Sequence, residues 1–443
     1  MRRAWTWMAV VAVWGMLVPE ITAAGLVVED TGGIPARRKI IITSPGVYRA
    51  EVWQASGGGI MGFYDLVADP EAKVNLAGGR AAAGRGLFEI GWHGRHFKGP
   101  DPADQPFCCV RHMRQVQAGK EKDKQGCYDG CADWPSMGHQ RLKAWGTLDL
   151  IEKSPARVRI RARSTFVWWG MYDHKNLKVA AEYTFYPAGK IAIQVRVQNV
   201  GKMAFHWSTE YGPHLMVPGS DKKPEVDLGF VWNTPKQDIS GKRGKGPSEE
   251  LFLATSKKVK ASLMLTIPPE EQKLFSRVMR HNGRSLTWDR CGYASEGITM
   301  NPGYDDTWAC LIQMSTPTST LPAKMRTVAE ALPYAMQYRA PATITGAMLV
   351  TDDPGDLNKD GYNESEGCHV LKGAGPLSFT YERGKGAGFA PAFKVIGWKG
   401  DAPKTVKVDG KDVPVAAGVV EGRLLLQILE KLPTDKARIE FGG

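Results

Sequence analysis

Oxygen-bearing side chains recur at alternate positions in the stretch Asp356-Leu-Asn-Lys-Asp-Gly-Tyr-Asn-Glu-Ser-Glu366. Asp356, Asn358 and Asp360 take its first, third and fifth places, Gly361 the sixth and Glu364 the ninth. By that spacing a loop can wrap a calcium ion in hard oxygen donors. Tyr362 would add its backbone carbonyl, and Glu364 and Glu366 the closing carboxylates. Gly361 permits the sharp turn. The twelfth place holds Gly367, where an EF-hand carries a bidentate Glu, and no helical pattern is evident on either side. The competing reading is an Asp/Asn/Gly-rich turn without a metal. In both readings the loop serves stability rather than catalysis, and a structural calcium is expected.

Proton-transfer chemistry has to come from elsewhere. Glu210-Tyr-Gly-Pro-His214 follows a strand expected to end near His206-Trp207, which puts a Glu, a Tyr and two His at one strand end. These are residue types that serve as general acids and bases. The alternative is that Tyr211 and His214 are core or rim residues with satisfied hydrogen bonds. Residues 157–163 alternate Val158 and Ile160 with arginines, the pattern of a strand with one buried and one basic face. Asp305 and Asp306 are adjacent, so a strand would send them to opposite faces. They are no hydrolase pair by themselves, and loop capping or solvation accounts for them.

Several aromatic and basic groups suit sugars. In Trp168-Trp169, with Tyr172 and His174 close by, alternation places one ring outward, where a sugar face could stack on it. Most tryptophans of a β-sandwich are core, which is the bland reading of Trp92, Trp134, Trp207, Trp288 and Trp308. His93-Gly-Arg-His96 and Arg280-His-Asn-Gly-Arg284 could meet an acidic glycan, or could be solvated turns.

The N-terminus reads as an export signal. Arg2 and Arg3 precede an apolar run, Ala9 to Val18, too short to span a bilayer, and Thr22-Ala-Ala24 offers small residues for cleavage. Residues 1–24 are therefore expected to be removed, leaving a secreted or periplasmic chain that starts near Gly25 and has no transmembrane segment. The seven cysteines are Cys108, Cys109, Cys127 and Cys131, then Cys291 and Cys310, then Cys368. In an oxidising compartment disulfides are the expectation, with one thiol left over. A metal set of Cys108, Cys109, His112, Cys127, Cys131 and His139 fits no zinc spacing well. The formal net charge of +12 favours acidic partners such as uronic-acid polysaccharides, although part of it sits in loop residues 240–245 and a solvated surface explains it equally. No P-loop, Rossmann glycine pattern, His-Glu-x-x-His or Gly-x-Ser-x-Gly is present, and no nucleic-acid-binding motif.

The elements that would position these groups are almost all strands. Residues 39–43, 49–54, 87–91, 148–151, 157–163, 178–186 and 190–198 carry strand patterns, with Pro187-Ala-Gly-Lys190 as a hairpin turn. Helix is expected only over 270–280 and 323–339, the second interrupted by Pro333. Residues 93–142 and 218–250 read as long loops. The character changes after about Thr351: strands at 377–381, 392–398, 404–408 and 424–429 with a Val408-Asp-Gly-Lys411 turn fit a small β-sandwich. The expected organisation is all-β: a large antiparallel supersandwich over 25–350, then the calcium-type loop and a small C-terminal β-sandwich over 351–443.

A resemblance sharpens this. Tyr48-Arg-Ala-Glu-Val-Trp-Gln54, Gly57-Gly-Gly-Ile60, Phe63-Tyr-Asp-Leu66, Val74-Asn-Leu76 and Leu87-Phe-Glu-Ile90, with Glu182 to Asn199, resemble the galactose-mutarotase-like supersandwich of aldose epimerases, polysaccharide lyases and glycoside hydrolases. It covers roughly residues 30–345. The loop at 356–366 resembles isolated calcium loops of dockerin-like and thrombospondin-like proteins. The first resemblance implies carbohydrate as the ligand class, and a polysaccharide, acidic in view of the charge, as partner. In polysaccharide lyases a base removes the C5 proton, an acid protonates the leaving oxygen and a cation neutralises the uronate. That implies His214 as base, Tyr211 as acid with Glu210 beside it, and Arg163 or Arg161 as neutraliser. Trp168, Trp169, His206 and Arg284 would bind substrate. An epimerase would use a His acid and a Glu base, for which Glu210, His206 and His214 are available. The alternative class is a non-catalytic carbohydrate-binding or envelope-associated protein.

Overall fold

The structure, a computed structural model, describes residues 25–35, 37–77, 87–93, 146–168, 172–202, 205–207, 209–216, 229–231, 250–255, 261–272, 274, 277–281, 285–289, 298–315 and 325–442. The expected export signal, most of both long loops, Trp169 and Arg284 lie outside them. So do Cys108, Cys109, Cys127, Cys131 and Cys291. Among the described residues no helix is long and apolar enough to cross a membrane.

The chain is all-β, as its patterning predicts. Its centre is an eight-stranded antiparallel sheet, in the order Gly229–Val231, Leu251–Thr255, Ser262–Thr266, Asp305–Ser315, Lys190–Asn199, Tyr172–Tyr186, Val158–Trp168, Thr147–Lys153. Gly189 takes φ +70°, the left-handed turn conformation that joins Tyr172–Tyr186 to Lys190–Asn199. One face of this sheet packs against two four-stranded sheets. The first runs Val27–Asp30, Lys39–Ser44, Tyr48–Trp53, Gly59–Asp65, and the second Arg277–His281, Ser285–Asp289, Thr209–Met216, Phe88–His93. Ile160, Tyr183, Ile193, Val195 and Trp308 from the large sheet meet Ile42, Val52 and Phe63 from the first small sheet, and Phe88 and Leu215 from the second, in one core. Each such aliphatic or aromatic side chain removed from water stabilises the fold by about 1.5–3 kcal/mol. Trp308 is therefore a core residue, fully buried.

The opposite face of the large sheet is covered too. Ala192, Leu253, Met264 and Leu311 pack under the helix Val328–Arg339, whose Ala331, Tyr334, Ala335 and Tyr338 face them. Thr327 caps this helix in a reciprocal box with Glu330, and Pro333 lies inside it. Because both faces are largely covered, Lys190–Asn199 is buried at seven of its ten positions, the first four in succession, rather than in a clean alternation.

The expected helix over 270–280 is a single turn, Pro269–Gln272, and Arg277–His281 is a strand. Glu270, Glu271 and Gln272 favour helix, but Val278 and Arg280 pair with Trp288 and Leu286 across a hairpin, so sheet pairing overrides the local propensity there.

The C-terminal strands form a sandwich around Phe379, Phe393, Val395, Trp398, Leu426, Ile439 and Phe441. Lys411–Val420 runs through both of its layers, pairing first with Thr405–Val408 and then, beyond Pro414, with Arg423–Ile428. Asp409 and Gly410 have φ of 51° and 79°, the conformation of a two-residue hairpin turn. Thr343–Thr345 and Met348–Leu349 already pair into this unit.

Candidate functional site

Two places collect the residues singled out by the sequence. The first is the strand Thr209–Met216. It is a central strand, flanked by Phe88–His93 and Ser285–Asp289. Its backbone sets Tyr211 opposite Gly91, and His214 opposite Glu89 and Thr287. The pairing register shifts between Tyr211 and His214. A bulge of this kind re-aims side chains and is common beside active sites. Glu210 belongs to the same strand, while His206 lies on the separate Phe205–Trp207 strand opposite Thr299. Trp168 ends its strand opposite Tyr172.

The basic face of Val158–Trp168 is turned the other way. Ile160 and Ala162 join the core that Leu215 also enters, so Arg159, Arg161 and Arg163 project from the outer face of the sheet. They are also paired. Arg161 Nε donates to Glu182 Oε1 at 2.6 Å and Arg159 Nη2 to Glu182 Oε2 at 2.7 Å. Arg163 lies 3.7 Å from Asp149. Arg196 pairs with Asp305, whose carboxyl this ion pair holds below its ordinary value. Asp306 accepts from the Tyr304 hydroxyl at 3.1 Å. The arginines are thus not brought to the face that Leu215 marks, and Asp305 and Asp306 are accounted for by local partners.

The second place is the loop at 356–366. The carboxylates of Asp356, Asp360 and Glu364 lie within 4.8 Å of one another. Backbone donors pin each of them: Gly361 N to Asp356 Oδ2 at 2.9 Å, Tyr362 N to Asp360 Oδ1 at 2.7 Å, Leu357 N to Glu364 Oε2 at 2.8 Å. Asn358 Oδ1 accepts from Asp360 N at 3.1 Å. Gly361 takes φ +87° and Lys359 φ +61°, the left-handed turns that curl the loop back on itself. Glu364 is only 1 % exposed, and burial, reinforced by Asp360 and Asp356, pushes its carboxyl up to about 8. Burial likewise raises Asp360. Three converging hard oxygen groups, one of them deeply buried, are a donor set that fits calcium.

Glu366, expected among the ligands, is taken up otherwise. Its carboxylate accepts from Arg157 Nη1 at 2.7 Å and Lys394 Nζ at 2.9 Å, and lies 3.0 Å from Arg159 Nη1. Against burial, these three cations hold it far below the usual carboxylate range. Arg157 itself is 2 % exposed and grips Glu152 through two parallel bonds, Nε to Oε1 at 2.5 Å and Nη2 to Oε2 at 2.9 Å. Lys394 Nζ also reaches Asp353 at 2.7 Å. Around this centre the Tyr186 hydroxyl donates to the Glu366 carbonyl at 2.6 Å, Lys190 Nζ to the Gly367 carbonyl at 2.7 Å, and Gln194 Nε2 to Ser365 Oγ at 2.8 Å. Residues 363–367 are therefore stitched to the large sheet and, through Lys394, to the C-terminal sandwich. Sequence reasoning missed this network. Its one visible signal is arginines alternating along a strand, and nothing in the spacing names Glu152 or Lys394 as partners.

Cys310 and Cys368 are free, buried thiols. The expectation that Cys310 belongs to a disulfide group is corrected: it packs in the apolar core of the large sheet. Cys368 lies under Arg157, whose Nη1 is 3.5 Å from its sulfur.

No family model matches the chain, and no curated protein does. Among solved structures it is similar to a putative aldose 1-epimerase from Escherichia coli K12, at 11% identity over 66% of this chain and 100% of that one, with a TM-score of 0.35. It is also similar to a galactose mutarotase-like protein from Clostridium acetobutylicum, at 10% identity over 66% and 99% of the two chains with a TM-score of 0.38. A galactose 1-epimerase from Lactobacillus acidophilus NCFM overlaps at 9% identity over 66% and 99%, with a TM-score of 0.36. The overlap is one of backbone course alone.

Proposed function

We propose that this chain is an exported carbohydrate-active protein that acts on an acidic polysaccharide by β-elimination. The observation that carries the reading is the bulged central strand that presents Glu210, Tyr211 and His214. His214 serves as the base for the C5 proton and Tyr211 as the acid for the leaving oxygen, a pairing whose residue types suit the two proton transfers. The uronate carboxylate then needs a neutralising group other than Arg161 or Arg163, which project from the outer face and already hold Glu182 and Asp149. Incubation of the purified protein with uronic-acid polysaccharides and calcium should raise ultraviolet absorbance as the unsaturated uronate forms. A flat trace across the panel sinks the lyase reading. His214→Ala should lose turnover while keeping fold and glycan affinity, and retained turnover removes His214 as the base.

A non-catalytic carbohydrate-binding or envelope-associated protein is the second reading. The ion-paired outer face favours it, since each arginine there is matched by an acid. Glycan binding without any product would establish it.

The loop is proposed to hold a structural calcium through Asp356, Asp360 and Glu364, with Asn358 Oδ1 and the Tyr362 carbonyl completing the shell. Ligand binding to the folded state alone stabilises it by mass action. Chelation should therefore lower the melting temperature, and Asp360→Ala should abolish that sensitivity. A melting curve indifferent to chelator sinks the calcium.

A further inference from the structure

The ammonium of Lys190 is a buried charge without a counter-ion. The residue is 7 % exposed. Its Nζ donates to the Gly367 carbonyl at 2.7 Å and rests 4.3 Å from the centre of the Tyr186 ring. An ammonium has three N–H donors, so among the described residues two are left without an acceptor. No carboxylate among those residues pairs with it. Arg157 repels it, and Cys368 would attract it only as a thiolate, which burial disfavours. Glu366, in the same junction, is already held by Arg157, Arg159 and Lys394. Burial lowers the Lys190 ammonium to about 8, so it still carries its charge at neutral pH.

Lys190 lines a cleft of about 270 Å³, part of it open to solvent. Three parts of the chain meet around it. Lys190 and Gln313 come from the large sheet, Tyr334 and Tyr338 from the helix Val328–Arg339, and Tyr362 and Phe389 from the C-terminal side. Among the described residues Lys190 is the only charged side chain in this lining. Its amide neighbours are already engaged. Gln313 Nε2 donates to the Ala188 and Met314 carbonyls, both at 3.0 Å. Gln337 binds the Phe389 backbone both ways, Nε2 to the carbonyl at 2.7 Å and Oε1 from the N–H at 2.8 Å. A water could take up the two remaining N–H groups, but it would leave the charge uncompensated, and a buried charge is costly unless it is paired.

We propose that this cleft is an anion site, which takes one small monovalent anion, chloride or the carboxylate of a short acid, against the Lys190 ammonium. The bound anion accepts from the two remaining N–H groups and supplies the counter-charge that the protein does not. It thereby fastens the large sheet, the helix and the C-terminal side where they meet. The site is independent of the calcium reading and of the candidate catalytic strand.

The test is thermal melting of the full chain at neutral pH with chelator present, titrated separately with sodium chloride and sodium acetate. An anion that binds only the folded state stabilises it in a saturating manner. Wild type should gain a few degrees, with saturation, beyond the general salt response read from Lys190→Met. Saturation by chloride alone marks a halide-sized site, and saturation by acetate alone a carboxylate site. A salt response identical in wild type and Lys190→Met, or none in either, overturns the proposal and leaves the cleft to water. Should Lys190→Met not fold, wild-type crystals soaked in sodium bromide decide. An anomalous peak in the cleft beside Lys190 Nζ is the expected result, and water alone there overturns the site.

Discussion

Replacing Glu366 with alanine should cost about 3–5 kcal/mol of folding stability, the size seen when one partner of a buried ion pair is removed. The reason is what remains behind. Arg157, 2 % exposed at its side chain, and Lys394, 5 % exposed, would keep their charges in a dry interior with one acceptor fewer each. Arg157 would retain Glu152, and Lys394 would retain Asp353. The loss should appear as a lower denaturant midpoint with an unchanged slope, since the exposed surface on unfolding stays the same. A loss below about 1 kcal/mol would place Glu366 with ordinary surface ion pairs and refute its role as the junction's centre. The Tyr186 bond to the Glu366 backbone carbonyl survives the substitution, so the measured change isolates the carboxylate.

Lys190 should give the chain a stability that rises with pH through a narrow alkaline window. Burial lowers its ammonium from 10.5 to about 8, opposed by Cys368 and aided by the neighbouring Arg157. The sign follows from proton counting. Between about 8 and 10.5 the folded chain has released this proton and the unfolded chain still holds it, so the unfolded state binds more protons and raising pH favours folding. Over the 2.5 units from 8 to 10.5 the full contribution is about 3 kcal/mol. Lys190→Met keeps the length of the side chain and removes the titration. Wild-type stability relative to this variant should climb across the window, read by urea unfolding at several pH values. A difference that is flat with pH would show that Lys190 titrates normally. Below the window the charged ammonium is kept by the Gly367 carbonyl at 2.7 Å and by the Tyr186 ring 4.3 Å from its nitrogen.

The strand pattern was legible because side-chain alternation is local. The turns at Gly189 and at Asp409-Gly410 stand where the residues demand them, and the strands on either side pair as the alternation of Ile191, Ile193, Val195 and Val197 implies. The stretch 270–280 was not legible, since its helix-favouring acids could not reveal that residues 285–289 would offer a pairing partner. The calcium-type spacing named Asp356, Asp360 and Glu364, and the fold does bring their carboxylates together. It also named Glu366, two residues further on, where the loop has already entered the ionic network. For the candidate catalytic strand, the residue types were legible in the sequence, whereas the register shift and the neighbouring strands came only with the fold.

The sequence by itself determined the all-β class, the hairpins, and a loop whose acids converge, because periodicity, turn residues and short-range spacing are encoded within a few positions. Only the tertiary structure decided that the basic face of Val158–Trp168 points away from the strand carrying Tyr211 and His214. It alone decided that Arg157 meets Glu366, 209 residues distant. Which of two faces a strand buries, and which distant charge neutralises a buried one, depend on how whole sheets stack, and no local spacing records that.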